Sequence, residues 1–232
     1  MTMTLQEAIM LRHSVRRYIH KPLSAEIIET LRKKIEECNA EGGLHIQLVT
    51  NETRAFTGLF SYGKFSGVEN YIVMVGKKAD DLDERVGYYG EQLVLLAQTL
   101  GLNTCWAGLS YRRVDEAYSV GDDEKLTCMI ALGYGATQGH KRKSKTAEQV
   151  SNISSDSPEW FRKGVEAALL APTAINQQKF SFTLLPNEQD TEDKPKVLAK
   201  RGFSMVGYTK MDIGIARLHF EIGAGTENFD WA

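Results

Sequence analysis

Hydrophobic and polar positions along this chain follow two rhythms, one near 3.6 residues and one of 2, and the changes between them mark the elements. Leu5, Ala8, Ile9 and Leu11 recur at helical spacing behind Thr4-x-x-Glu7, a capping-box pair that predicts a first helix. Ser24 opens a second helix that carries Ile27, Ile28, Leu31 and Ile35 inward and stops at Gly42-Gly43. His45 to Thr50 alternates as a strand does, and Tyr71 to Val75 reads as another. From Tyr89 to Leu100 the apolar residues Leu93, Leu95, Leu96, Ala97 and Leu100 leave little polar face, which predicts a central buried helix. Leu126 to Leu132 predicts an interior strand ending at Gly133-Tyr134-Gly135.

Beyond that strand, His140 to Asp156 is rich in Lys, Ser and Asn and reads as a connection between lobes. Helical structure restarts with Ser157 as cap and Pro158 at the first helical position, carrying Trp160, Phe161, Val165, Ala168 and Leu169 on its apolar face. Phe180 to Leu185 is a strand candidate and Asn187 to Lys196 a polar loop. Strands mixed with helices of these lengths indicate an α+β or α/β sandwich. The segment Asp212 to Ala224, set beside Arg85 to Ala97, aligns Gly214 with Gly87 and Ala224 with Ala97. Both segments open on a glycine that permits close helix packing, a weak internal similarity taken alone.

Composition narrows the class of function by exclusion. The 232 residues suffice for one domain or two half-sized lobes, and 42% hydrophobic with 25% charged residues is ordinary for a globular chain. A net charge of -2 gives no pull toward nucleic acid or anionic membrane. No apolar run approaches the roughly 20 residues of a membrane span, and Met1 to Met10 lacks the pattern of a secretory signal. Cys38, Cys105 and Cys128 are odd in number and scattered, which argues against a disulfide framework and a zinc site and leaves the cytoplasm as the expected compartment.

Four segments could carry chemistry. Arg12-His13-Ser14-Val15-Arg16 sets two guanidiniums and a hydroxyl within five residues, either a phosphate site or a solvated basic turn at a helix end. His140-Lys141-Arg142-Lys143-Ser144-Lys145 either binds an anion or is an exposed linker, and it has none of the interleaved aromatics of a nucleic-acid surface. Ala171-Pro172-Thr173-Ala174-Ile175-Asn176-Gln177-Gln178 could grip a flat heteroaromatic ring with polar edges, or be an ordinary helix-to-strand loop. Trp106-Ala107-Gly108 lets backbone N–H groups approach a ligand, or packs in the core. No catalytic triad, metal cluster or dinucleotide glycine fingerprint is legible, so any reactive group is expected from a cofactor.

Together these segments resemble the nitroreductase family of FMN enzymes, over roughly residues 4–145 and 158–225. RHSVRRY is similar to that family's Arg-x-Ser-x-Arg/Lys motif, which assigns Arg12, His13, Ser14 and Arg16 to the flavin phosphate and ribityl chain. The GLNTCWAG block assigns Trp106, Ala107 and Gly108 to the flavin, with a backbone N–H near N5. HKRK resembles a late basic phosphate motif, with Arg142 the best match and Lys143 second. APTAINQQ resembles Ala-Pro-Ser-x-x-Asn-x-Gln and assigns Pro172, Thr173, Ala174, Asn176 and Gln178 to the cofactor. It departs from the family in Thr173 for Ser, in Lys179-Phe180 for Pro-Trp, and in lying about 130 residues later than usual.

The resemblance implies an α+β nitroreductase-like fold with a central, mostly antiparallel sheet flanked by helices. In typical members the two subunits of a homodimer share each flavin. Here the first lobe keeps the arginine motif and the second keeps the displaced loop, the pattern of a fused pseudo-dimer. The expected lobes are 1–145 and 158–232, with 146–157 as linker. The expected function is an FMN-dependent NAD(P)H oxidoreductase, with hydride passing from NADH or NADPH to N5 and then electrons to a small nitroaromatic or quinone-like acceptor by a ping-pong scheme. The alternative is a flavin carrier or redox sensor without efficient turnover. Expected partners are small molecules, with neither nucleic acid nor membrane, and a monomer is expected to form a complete site, further dimerisation being left open. Tyr62-Gly63-Lys64 is left without a role.

Overall fold

The apolar run around Tyr71 forms the middle of a four-stranded antiparallel sheet in the computed structural model, which describes residues 3–58, 64–186 and 194–232. Strands β1 (Gln47–Val49), β2 (Asn70–Lys77), β3 (Asn103–Ala107) and β4 (Glu124–Gly133) lie in the order β1-β2-β4-β3. Ile72 faces Ile130 and Val73 faces Met129 across the central pair. Tyr71, Val73 and Val75 are fully buried on one face and Ile72 and Met74 on the other, so both faces are covered and the strand reads as a continuous apolar run.

Helix α1 spans Leu5–Leu11, α2 Ala25–Gly42 and α3 Leu82–Thr99. The Ser24 hydroxyl accepts the Ile27 N–H at 3.3 Å to start α2. Gly43 ends it in the left-handed region at φ 57°, with its N–H reaching the Asn39 carbonyl. Leu31, Ile35 and Cys38 are its buried face. Helix α3 begins earlier than the apolar pattern suggests, because its first turn carries the polar residues Asp83 and Glu84. The expected apolar face of α1 is narrower than predicted: Ala8 and Ile9 are buried, whereas Leu5 and Leu11 are 48% and 54% exposed.

By packing the chain divides into two units. The first holds Leu11–Leu82 and Gln92–Lys141; the second holds Leu5–Met10, Asp83–Glu91 and Arg142–Ala232. Helix α3 therefore contributes its first part to one unit and its last part to the other.

The second unit contains α4 (Glu159–Leu169), β5 (Phe180–Leu184), β6 (Lys196–Arg201), α5 (Thr209–Ala224) and β7 (Asp230–Trp231). Its sheet runs β5-β6-β7, antiparallel and then parallel. An aromatic cluster fills it: Phe182 stacks on Phe220 at 4.7 Å, Trp160 stacks on Phe229 at 5.6 Å, and Trp231 lies 5.4 Å from Phe220. From Arg142 onward, the stretch read as a connection is built into this unit. Thr146 and Gln149 form a capping box around the 3-10 turn Ala147–Gln149, and Ser151 bridges Phe182 of β5.

Three further details depart from the sequence reading. Pro158 is itself the cap of α4, and Ser157 instead accepts the Ser154 N–H at 2.9 Å in the preceding turn. The strands β3, β6 and β7 carry no legible alternation. Residues 187–193 of the expected polar loop, and Tyr62-Gly63, lie outside the described residues, while Lys196 at the loop's expected end opens β6.

The glycines aligned in the sequence meet in the fold. A Cβ on Gly87 would sit 2.1 Å from the Met211 carbonyl oxygen, and a Cβ on Gly214 would sit 2.0 Å from that of Glu84. The next nearest backbone nitrogens are those of Ile215 and Tyr88. Each glycine thus faces the carbonyl three residues before the other and the nitrogen one residue after it, a reciprocal crossing of α3 and α5. Among the described residues, no helix is long and apolar enough to cross a membrane.

Candidate functional site

In the first unit the basic segment after α1 is extended and bonded on both sides. Val15 donates its N–H to the Thr104 carbonyl of β3 at 3.0 Å, and Ser14 forms a parallel bridge with Thr104. On the other side Ile19 N–H reaches the Tyr134 carbonyl and the Arg17 carbonyl accepts from Ala136 N–H. Buried Val15 and Tyr18 anchor the segment, and the Tyr18 hydroxyl donates to the Val15 carbonyl at 2.6 Å. Between these anchors Arg16 and Arg17 are exposed, and Ser14, just before Val15, is half-buried.

Cys105 of β3 follows Thr104, the residue that pairs with Ser14. Burial pushes the Cys105 thiol up, and the Arg16 charge, a hydrogen bond with Ser14 and the Arg12 charge act the other way, in that order. Arg12 is only 5% exposed, which is costly for a guanidinium unless it serves a specific partner. His13 packs against Gly139, at whose φ of +78° the chain turns back onto it. Trp106 and Ala107 lie within β3, opposite Ile130 and Met129, and Gly108 follows it. The stretch read as small residues after a helix is thus a strand, its backbone direction fixed by pairing with β4.

In the second unit the loop from Ala171 to Gln178 is strained. Ile175, Asn176 and Gln178 all adopt positive φ, at 46°, 59° and 44°. Each such non-glycine conformation costs on the order of 1–3 kcal/mol and persists only where surrounding contacts impose it. Those contacts are numerous. The Thr173 hydroxyl accepts the Gln178 N–H at 3.1 Å. The Gln178 amide accepts the Lys145 N–H at 3.0 Å and donates to the Ser144 hydroxyl and the Leu169 carbonyl. Lys145 Nζ donates to the Gln178 carbonyl at 2.6 Å, and Arg142 Nη2 donates to the carbonyls of Leu169 and Ala171. Burial draws the Lys145 ammonium downward, with the Lys179 charge adding to it. Pro172 is buried at the start of the loop.

The basic cluster Arg142–Lys145 and the APTAINQQ loop, read as separate motifs, are therefore neighbours. Asn176 joins them by donating to the Lys143 carbonyl at 2.8 Å. Its Oδ1 is buried with no hydrogen-bond partner. Sequence reasoning missed one member of this site. Asp212, in the first turn of α5, accepts the Ala174 N–H at 3.0 Å and the Gln177 side-chain amide at 2.6 Å. Burial pushes its carboxyl up to about 6, against those two hydrogen bonds.

The comparisons agree with this architecture. The family described as "Putative TM nitroreductase" matches residues 4–224. A putative nitroreductase of Thermotoga maritima has a similar structure, with a TM-score of 0.63 at 23% identity, covering 96% of this chain and 84% of its own. Nitroreductase A of Vibrio parahaemolyticus has a TM-score of 0.53 at 16% identity, covering 67% of this chain and 79% of its own. A putative nitroreductase of Desulfovibrio desulfuricans, solved in complex with FMN, has a TM-score of 0.52 at 15% identity, covering 68% of this chain and 100% of its own. No curated protein matches the chain. With a family match that runs from α1 to the end of α5, the chain belongs to the family described as "Putative TM nitroreductase".

Proposed function

We propose that the chain is a cytoplasmic FMN-dependent NAD(P)H oxidoreductase that reduces a small nitroaromatic or quinone-like acceptor by a ping-pong scheme. The observation that carries this reading is the pairing of the Arg12–Arg16 segment with β3 at Thr104, in the strand that also holds Trp106 and Ala107 and leads to Gly108. Two guanidinium forks and a hydroxyl are the donor set a phosphomonoester requires. The orphaned Asn176 Oδ1 supports the same reading, because a buried acceptor without a donor suits a ring N–H such as the pyrimidine edge of a flavin presents. When bound, FMN supplies the hydride-accepting and electron-donating chemistry that no side chain of the site offers.

The protein's own residues bind and orient. Arg12, His13, Ser14 and Arg16 hold the phosphate and ribityl end. Trp106, Ala107 and Gly108 would approach the ring and would offer a backbone N–H to its N5 edge. Pro172, Thr173, Ala174 and Asn176 form the second set of contacts. Arg142, Lys143 and Gln178 complete the proposed cofactor set; Arg142 and Gln178 also brace the loop through its carbonyls, and the Lys143 carbonyl accepts from Asn176.

Titration of purified protein with FMN tests the reading: flavin fluorescence should quench at micromolar concentrations, and an absence of binding there overturns it. Arg16→Ala should weaken FMN binding about tenfold or more, the worth of one charge-assisted hydrogen bond, and leave riboflavin binding unchanged. Bleaching of bound flavin by NADH or NADPH in stopped flow separates an enzyme from a carrier.

We also read the chain as a fused pseudo-dimer with one flavin per chain. The reciprocal contacts of Gly87 and Gly214 support this, since two copies of one helix related by a dyad meet in that way.

A further inference from the structure

Among the residues around the strained loop, Asp212 has no place in the flavin motifs, yet it is 3% exposed and both of its oxygens are used. Its acceptor bonds fall on Ala174 N–H and on the Gln177 side chain, and the two residues between, Ile175 and Asn176, are left-handed. The same Gln177 nitrogen also donates to the Gly207 carbonyl at 3.0 Å, so the carboxylate, the loop and the turn before α5 are tied through one amide. An acid in the first turn of a helix usually serves the helix dipole from a solvated position. This one is turned away from water and spends its charge on a neutral N–H and a neutral amide.

We propose that Asp212 is a positioning residue for the cofactor: its carboxylate spans the Ala174–Gln177 turn and holds the Asn176 carbonyl oxygen where the flavin edge is to meet it. The proposal rests on the flavin reading above. Without the clamp, Ile175 and Asn176 relax toward ordinary backbone angles, and Asn176 Oδ1 leaves its position.

The charges on the packed elements do not account for Asp212. Lys143 and Lys145 belong to the cluster that binds the loop, Lys179 follows the loop, Arg201 of β6 donates to Thr209, and Lys210 lies two residues before it on α5. Its proton affinity is set by burial and by the Ala174 and Gln177 bonds, with no charged group contributing. The sign follows. A carboxyl held at about 6 instead of 3.8 favours the fold below pH 3.8, and that stability is lost as pH rises through about 6. At neutral pH the ionised clamp is thus carried at a net expense in stability.

The test is FMN affinity and melting temperature measured together on the full chain at pH 8. Asp212→Ala should weaken FMN binding on the order of tenfold or more, because both bonds to a charged acceptor are lost. Asp212→Asn keeps the acceptor for Ala174 and should lose less. Asp212→Asn should melt no lower than wild type at pH 8, and its advantage should shrink as pH falls to 4. If Asp212→Ala does not fold, Gln177→Leu removes the other half of the clamp and should also weaken FMN binding. Wild-type affinity in Asp212→Asn and Gln177→Leu overturns the clamp alone. Parallel loss of affinity and melting temperature in Asp212→Asn at pH 8 assigns Asp212 to simple structural support and overturns it too. Failure of the wild type to bind FMN overturns the flavin reading and this proposal with it.

Discussion

The behaviour of single residues here is decided by which polar groups are buried and what they meet. His219 and Glu91 are both 0% exposed, with His219 Nε2 2.9 Å from Glu91 and Nδ1 3.1 Å from the Ala167 carbonyl. The Ala167 carbonyl can only accept, so Nδ1 donates to it and Nε2 is left to pair with Glu91. Glu91→Leu should therefore cost about 3–5 kcal/mol in urea denaturation, because it strands a buried imidazole. Adding His219→Phe should recover much of that loss. Glu91→Gln keeps a neutral hydrogen bond and should fall between. Glu52 shows the opposite pH sense to Asp212. Burial acts to raise its carboxyl, but hydrogen bonds from Arg54, Ala55 and Tyr71 outweigh it and hold it below the usual range. The stability it lends is present above the ordinary glutamate value and is lost as pH falls, so Glu52→Gln should flatten the acid limb of a stability profile. At this scale the sequence is legible for what a residue can do and mute on whom it meets. Arg12, Ser14 and Arg16 are readable because they are neighbours in the chain. Asp212 is not, since its partner Ala174 lies 38 residues away, and an acid near a helix start has an ordinary explanation.

At the scale of elements, legibility followed length and periodicity. Helix α2 shows its cap, its apolar stripe and its terminal glycine in eighteen residues, and β2 and β4 are continuous apolar runs because both sheet faces are covered. Strand β3, with the sequence NTCWA, offers no alternation, β6 buries little beyond Val197, and β7 has two residues. These exist because neighbours pair with them, a cause that no local window contains. The α3/α5 crossing gives a prediction whose sign is diagnostic. In an open helix Gly→Ala stabilises by up to about 1 kcal/mol. Here Gly87→Ala and Gly214→Ala each place a methyl about 2 Å from a backbone oxygen, and each should destabilise by about 1–3 kcal/mol or more. The two sites share one contact, so the double variant should cost less than the sum in a denaturation cycle. Phe203 and Met205, 85% and 95% exposed between β6 and α5, should by contrast tolerate serine within about 0.5 kcal/mol.

For the whole molecule the predictions concern number. A fused pseudo-dimer should bind flavin at one equivalent per chain, and the species that binds should include the monomer in sedimentation at low concentration; two equivalents per chain would refute the fusion. The order of motifs, with the loop displaced toward the C-terminal half, is the sequence signal for the proposed fusion, and the reciprocal glycine contact supports that proposal. What the sequence could not convey is that the stretch from Arg142 onward belongs by packing with the loop it supports.

The passage of α3 from one unit into the other has a practical consequence for anyone who would take the chain apart. A cut between Lys141 and Arg142 follows the boundary of packing, yet the C-terminal fragment it releases lacks Glu84, Tyr88 and Glu91, the partners of Arg217, Glu221 and His219. Expressed separately the two fragments should be insoluble or unfolded, and expressed together they should reassemble through the first half of α3, which the N-terminal fragment retains, as a complementing pair.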